Sequence, residues 1–210
     1  RMIAVTGTNG KTTTTHIIAH ILRQQGYKVG VIGTLHWLIN EEAYPIRNTT
    51  PDVITLQKIL YRMEKAGVTH VSMEVSSHAL SLNRIAGCEF DTAIFTNLTQ
   101  DHLDYHKTME SYAETKARLF SLVSADKHSK PLKSGIINID DSYATIMKSF
   151  VNKKTFCPVF TYGIENEADL QAINIKFSRQ ALSFDLKMDD ITYSVHTKLV
   201  GRFNVYNTLA

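Results

Sequence analysis

The sequence has little of several things. Among 210 residues there are two cysteines, four prolines and one tryptophan. Cys88 and Cys157 can make no disulfide framework and lack metal-ligand spacing, which fits a reducing compartment. No apolar run approaches the roughly twenty residues of a membrane span, and the first residues carry no secretory leader pattern. The expectation is a cytoplasmic protein with no membrane partner. Formal charges nearly cancel, at +3, and no basic cluster stands out, which argues against a nucleic-acid partner. Repeats and low-complexity segments are also lacking. What is present, 43% hydrophobic and 20% charged residues, suits a globular chain with one good core, or one domain plus a small appendage.

The most informative stretch is Thr6-Gly7-Thr8-Asn9-Gly10-Lys11-Thr12-Thr13. It follows the apolar run Met2-Ile3-Ala4-Val5 and precedes the amphipathic Ile17-Ile18-Ala19-His20-Ile21-Leu22, an order that reads as strand, glycine loop, helix. Such a loop turns several backbone N–H groups into one concavity, and the helix adds its positive dipole end. Lys11 supplies a cation for the outer phosphates of a nucleotide, and Thr12 a hydroxyl for Mg²⁺. The pattern departs from the usual phosphate loop in having Val5 where the first glycine stands. A chance Gly-Lys-Thr in an ordinary turn is the bland alternative.

Along the chain, a helix is expected to about Gln25 with Gly26 as its stop, then a strand over residues 28–33. Residues 35–47 read as a hairpin or an irregular excursion. Thr50, Pro51 and Asp52 read as N-cap, first position and first turn of a helix whose apolar positions are Val53, Leu56, Leu60 and Met63. Strands follow at 69–75 and 92–96, and a helix at 109–123. Strands alternating with helices to about residue 150 predict an α/β fold, a mostly parallel sheet flanked by helices. From Phe156 the texture changes: segments 169–177, 181–187 and 191–200 alternate apolar and polar residues and read as a small C-terminal antiparallel sheet. A core strand begins by residue 2 and a helix is under way at Ala210, so the chain is expected to be a piece of a longer protein.

Ligands of open α/β sheets lie at the carboxyl ends of the strands, and unusual polar residues collect there. Glu74 ends one strand and is followed by Ser76-Ser77-His78; Asn97 and residues 99–106 follow another. Glu74 with the Thr12 hydroxyl would serve Mg²⁺, which takes few protein oxygens. His102 could be a ligand or orient one, whereas His106 reads as a structural histidine. Lys116 falls on the buried stripe of helix 109–123; its spacing favours a packed stem with the ammonium reaching solvent, against a lysine aimed at the nucleotide. Thr50 is explained by capping, but Asn48-Thr49 before it are not.

Taken in order, these blocks resemble the Mur ligases. The matching stretches are Thr6–Thr13, Asn48-Thr49-Thr50-Pro51, Met73-Glu74-Val75-Ser76-Ser77-His78 and Asn97 through His106. Tyr112 through Phe120 and Gly201-Arg202-Phe203-Asn204-Val205-Tyr206-Asn207 match as well. The loop is shared across the family; the second and third blocks narrow the likeness to ligases acting on UDP-N-acetylmuramoyl-dipeptide. The resemblance implies a central ATP-binding domain over residues 1–210, with the parallel part at 1–150 and the antiparallel part at about 156–200. The N-terminal UDP-binding and C-terminal amino-acid-binding domains would lie outside it. The implied activity is ATP-dependent amide formation between the muramoyl-dipeptide and a diamino acid, meso-diaminopimelate or L-lysine, through an acyl phosphate in bacterial peptidoglycan synthesis.

By the same resemblance, Gly7, Thr8, Asn9, Gly10, Lys11, Thr12, Thr13 and Asn207 hold ATP, with Asn207 against the adenine. Thr12, Glu74, His102 and Lys116 belong to the Mg²⁺ sites, and Lys116 aligns with a lysine carrying a CO₂-derived carbamate, which reverses the reading from spacing. Asn48, Thr49, Thr50, Ser76 and Arg84 match substrate-contacting positions. Leu82 departs from the family, which commonly has a substrate-contacting glutamine at that position. The alternatives are another ligase of the superfamily, such as a folylpolyglutamate synthase, or a nucleotide-binding module without chemistry.

Overall fold

The structure is a computed structural model that describes residues 1–124, 133–151 and 157–210. Its strands are β1 (Met2–Thr6), β2 (Val29–Ile32), β3 (Trp37–Ile39), β4 (Glu42–Tyr44), β5 (His70–Glu74), β6 (Thr92–Phe95), β7 (Ser134–Asn138), β8 (Val159–Gly163), β9 (Leu170–Phe177), β10 (Leu182–Met188) and β11 (Ile191–Thr197). Its helices are α1 (Lys11–Gln24), α2 (Val53–Lys65), α3 (Ser77–Ser81), α4 (Leu103–His106), α5 (Met109–Ser124), α6 (Ala144–Ser149) and α7 (Phe203–Leu209).

Among the described residues these strands form one continuous sheet, in the order β11-β10-β9-β8-β7-β6-β1-β5-β2-β3-β4. From β2 to β8 the pairing is parallel, and these strands are short and apolar because helices cover both faces. In β2 every residue is buried. Helices α2 and α5 show why: α2 buries Leu56, Ile59 and Met63 on one stripe, and α5 buries Tyr112, Ala113, Leu119, Phe120 and Val123. The two edges are antiparallel. Residues 35–47 form the hairpin β3–β4, which extends the sheet beyond β2. At the other edge β9, β10 and β11 make an antiparallel meander, half exposed, but β8 pairs parallel with both β7 and β9, so the parallel part runs past residue 150, where it was expected to end, and the antiparallel part begins only after β9. Phe156, where the sequence texture changes, lies outside the described residues.

One helix start differs from expectation. Asp52, not Thr50, caps α2: its side chain accepts from the Thr55 N–H. The Thr50 hydroxyl is engaged elsewhere, donating to the Glu74 carbonyl oxygen at 2.9 Å and accepting from the Ser76 N–H at 3.1 Å. A tertiary contact has outcompeted a local one.

From β1 the chain passes to one side with β2 and β5 and to the other with β6, β7 and β8. That reversal opens a crevice at the carboxyl end of β1, between β5 and β6.

Candidate active site at the strand ends

The loop over residues 7–10 leaves β1 at this crevice, and α1 begins at Lys11. Gly10 is needed twice over. Its φ of 86° is left-handed, and a Cβ there would lie 2.2 Å from the Asn207 side-chain oxygen. The loop is tied to the end of β6. The Thr8 N–H donates to the Asn97 carbonyl oxygen at 2.8 Å, the Asn9 N–H to Asn97 Oδ1 at 3.0 Å, and the Thr96 hydroxyl to the Asn9 carbonyl oxygen at 2.7 Å. Past it, the first N–H groups of α1 have no intrahelical acceptor and can take an anion. Lys11 curls back on its own loop, Nζ donating to the carbonyl oxygens of Gly7 (2.9 Å) and Thr8 (2.7 Å). Burial lowers its pKa, with Glu74 and Asp101 pulling the other way.

Glu74, 1% exposed at the end of β5, faces this loop. Its Oε1 accepts from the Thr12 hydroxyl and from the Thr34 N–H, each at 2.8 Å, and its Oε2 from the Thr34 hydroxyl at 3.1 Å. Among the described residues no cation pairs with it within 4 Å. A buried carboxylate held only by neutral donors, with a threonine hydroxyl alongside, is an oxygen set that fits Mg²⁺. No group of three or more His, Cys, Asp or Glu side chains among the described residues could enclose a metal unaided. The donor set therefore suits an ion that also keeps phosphate oxygens and water.

Lys116 does not snorkel. It is 1% exposed, with Nζ donating to the Gly7 carbonyl oxygen at 2.9 Å and lying 4.5 Å from the centre of the Tyr112 ring. Burial, reinforced by the nearby Lys11 charge, pushes its pKa well below 10.5. The spacing-based reading fails because α5 packs that face against the loop and not against solvent.

The remaining expected residues fall into two groups. Thr49, Thr50, Ser76 and Arg84 lie together: Thr50 bonds Ser76, and Arg84 donates to the Thr50 carbonyl oxygen at 3.2 Å. Ser76 also caps α3. Asn48 lines the rim of a cavity of about 1130 Å³ that runs over α2. Asn207 is buried on α7 and shares with Asn9, Gly10, Thr13 and Phe203 a second cavity of about 630 Å³ beside the loop. His102 stands apart: its ring is within 3.5 Å of Asp101 and edge-on to His78, with no bond to Glu74 or Lys116. His106 is a buried structural histidine sharing a hydrogen with Ser77 at 2.9 Å. Leu82 is exposed.

A family model for the Mur ligase middle domain matches residues 5–210. The chain belongs to this family. The 2,6-diaminopimelate-adding UDP-N-acetylmuramoyl-L-alanyl-D-glutamate ligase of Bacillus velezensis is 48% identical over the whole chain, which spans 42% of that relative's length. A solved structure of a ligase so described superposes with a TM-score of 0.89 at 38% identity, again over all of this chain and 42% of the other. The MurF structure from Acinetobacter baumannii superposes at 0.73 with 18% identity, a likeness of fold alone.

Reading this Mur ligase middle domain by motif passed over several residues that build the site. Thr34 and Gly33 sit at the carboxyl end of β2, where the strand-end rule that found Glu74 would have found them. A Cβ on Gly33 would lie 2.3 Å from Glu74 Oε1, so the glycine makes room for the carboxylate. Thr96 at the end of β6 and Asp140 and Asp141 just past β7 answer to the same rule, and Tyr206 lies within the matching stretch 201–207 without having been given a role.

Proposed function

We propose that this chain is the ATP-binding part of a bacterial, cytoplasmic ligase that joins a diamino acid to UDP-N-acetylmuramoyl-L-alanyl-D-glutamate. The observation that carries the reading is the gathering of Lys11, Lys116, Thr12 and Glu74 around one glycine loop, with a cluster of hydroxyls and Arg84 beside it. The name of the 48%-identical relative supplies the acceptor, and points to 2,6-diaminopimelate as the added residue.

In this reading the dipeptide's free carboxylate attacks the γ-phosphorus and ADP leaves. The diamino acid's amine then attacks the acyl carbon, loses a proton, and phosphate departs as the amide forms. Such transfer depends on positioning and charge neutralisation, not on a protein nucleophile. Lys11 releases its loop carbonyls to take the outer phosphates. Gly7, Thr8, Asn9, Gly10, Thr12 and Thr13 cradle them, and Asn207 holds the adenine in the cavity beside the loop. Mg²⁺, held through Thr12 and Glu74, would neutralise phosphate charge, with His102 and Lys116 serving a second ion. Lys116, if neutral as its burial favours, is an amine competent to take up CO₂ as a carbamate, turning a cation into an oxygen ligand. Asn48, Thr49, Thr50, Ser76 and Arg84 orient the muramoyl-dipeptide. The UDP-binding and amino-acid-binding domains belong to the rest of the protein.

The test is phosphate release from Mg-ATP by the full-length protein. Release is expected only when UDP-muramoyl-dipeptide and a diamino acid are both present. Release that ignores both would refute the reading, and a panel of acceptors separates it from other ligases of the superfamily.

A further inference from the structure

Thr34 has no role in the scheme above, yet it touches both halves of the site. Its backbone N–H donates to Glu74 Oε1 at 2.8 Å and its hydroxyl to Oε2 at 3.1 Å, so one residue grips both carboxylate oxygens. The same hydroxyl lies 3.1 Å from the hydroxyl of Thr49. A hydroxyl has one hydrogen, and that of Thr34 is already given to the carboxylate. The Thr49 hydroxyl must therefore donate to Thr34. The bonds run in one direction, from Thr49 through Thr34 to Glu74.

Two further contacts make this a built connection. Gly33 leaves the space in which the carboxylate lies against this turn, since a Cβ there would meet Oε1 at 2.3 Å. Thr50, next to Thr49, donates to the Glu74 main-chain carbonyl oxygen at 2.9 Å, so the stretch 49–50 is pinned to Glu74 at side chain and backbone. Anything that fixes the carboxylate fixes the Thr34 hydroxyl, and with it the hydrogen of Thr49.

We propose that Thr34 is a positioning residue that couples the metal–nucleotide side of the site to the acceptor side, through the Thr49–Thr34–Glu74 chain of hydrogen bonds. This rests on the ligase reading given above. With the chain intact, Thr49 presents only lone pairs to the acceptor and is suited to accept from a peptide N–H. The carboxylate, held at both oxygens, meets its cation without rearranging. Binding at either side then orders the other, and by linkage the effect is equal in both directions.

The experiment uses the full-length protein with Mn²⁺ in place of Mg²⁺ and a non-hydrolysable ATP analogue. Mn²⁺ affinity is read by electron paramagnetic resonance with and without UDP-muramoyl-dipeptide. In the parent protein the dipeptide is expected to tighten Mn²⁺ binding by roughly fivefold or more, the low end of measured site-to-site couplings. Thr34→Ser, which keeps the hydroxyl, retains that ratio. Thr34→Val, which keeps the branched shape and the backbone N–H, brings it to about one. Thr49→Val breaks the chain from its other end and carries the test should Thr34→Val not fold. Equal ratios in the parent and both valine variants, or no coupling in the parent, would overturn the proposal. A parent protein that neither binds the muramoyl-dipeptide nor releases phosphate in its presence would instead overturn the ligase reading on which the proposal stands.

Discussion

Lys116 is the residue where stability and chemistry pull apart. A buried amine with no carboxylate within 4 Å among the described residues is destabilising when charged, and one carbonyl and one aromatic face offset only part of that. Its pKa in the fold lies well below the unfolded value of 10.5. Between the two values the unfolded chain binds more protons, so this group makes stability rise with pH, and contributes no slope above 10.5. Lys116→Met, similar in shape and uncharged, should raise the denaturation midpoint most at the low end of that window and lose its advantage as pH approaches 10.5. Denaturant melts at a series of pH values check this. The same substitution should abolish ligation by the full-length protein, since it removes the amine; a variant that is stabler and still fully active would contradict the proposed role. Gly33→Ala is the complementary case. Its Cβ, 2.3 Å from Glu74 Oε1, would swing the carboxylate off Thr12 and Thr34. The fold should persist while the Mg²⁺ concentration needed for half-maximal activity rises about tenfold or more, roughly the loss of one charge-assisted contact.

At the scale of elements, Asp140 knots three of them. From the end of β7 its carboxylate accepts from the N–H groups of Ile164, Glu165 and Asn166 in the β8–β9 turn and from the Tyr206 hydroxyl on α7. Burial pushes its pKa up, but the Ile164, Glu165 and Asn166 N–H groups and the Asn166 side-chain amide outweigh it and leave it below 3.8. A depressed carboxylate pKa stabilises the fold above the unfolded value, and that contribution is lost as pH falls through the folded one. Asp140→Asn should therefore cost about 1–2 kcal/mol at neutral pH, discounted for partial exposure, and the difference from the parent should vanish in strong acid. Paired melts at pH 7 and below pH 3 measure it. This knot shows what the sequence hides. The parallel strands were legible because buried strands are continuous apolar runs, and the loop and Glu74 because they stand at the ends of such strands; the stripe of α5 showed that Lys116 is packed but not where its amine points. The turn tied by Asp140 lies some two dozen residues downstream, and no local pattern announces it. The cap of α2 is similar: Thr50 and Asp52 are both good cap residues, and the choice was made by the Glu74 carbonyl, 24 positions away.

For the whole molecule, the sheet gathers the glycine loop, Thr34, Glu74 and Asn97 at the carboxyl ends of β1, β2, β5 and β6, and α5 brings Lys116 onto the loop from the side. The proposed nucleotide side is well furnished: a loop with oriented donors, two lysines, a carboxylate and a cavity of about 630 Å³ reaching Asn207. The proposed acceptor side offers a few hydroxyls, Asn48 and Arg84, with Arg84 already bonded to the Thr50 carbonyl oxygen. In the proposed scheme no residue takes the incoming amine, and the chain spans 42% of the length of the relatives it matches. Phosphate contacts alone can hold a nucleotide, but two reactants must also be oriented, and correct orientation accounts for much of an enzyme's acceleration. The isolated 210-residue piece should therefore bind Mg-ATP weakly, with a dissociation constant above that of the full-length protein, and should form no amide. Calorimetric titration of the piece and the full-length protein with a non-hydrolysable ATP analogue, beside a product assay with both substrates, tests both halves. Amide formation by the piece alone would mean that residues 1–210 already contain the amine site, and would locate it on this sheet.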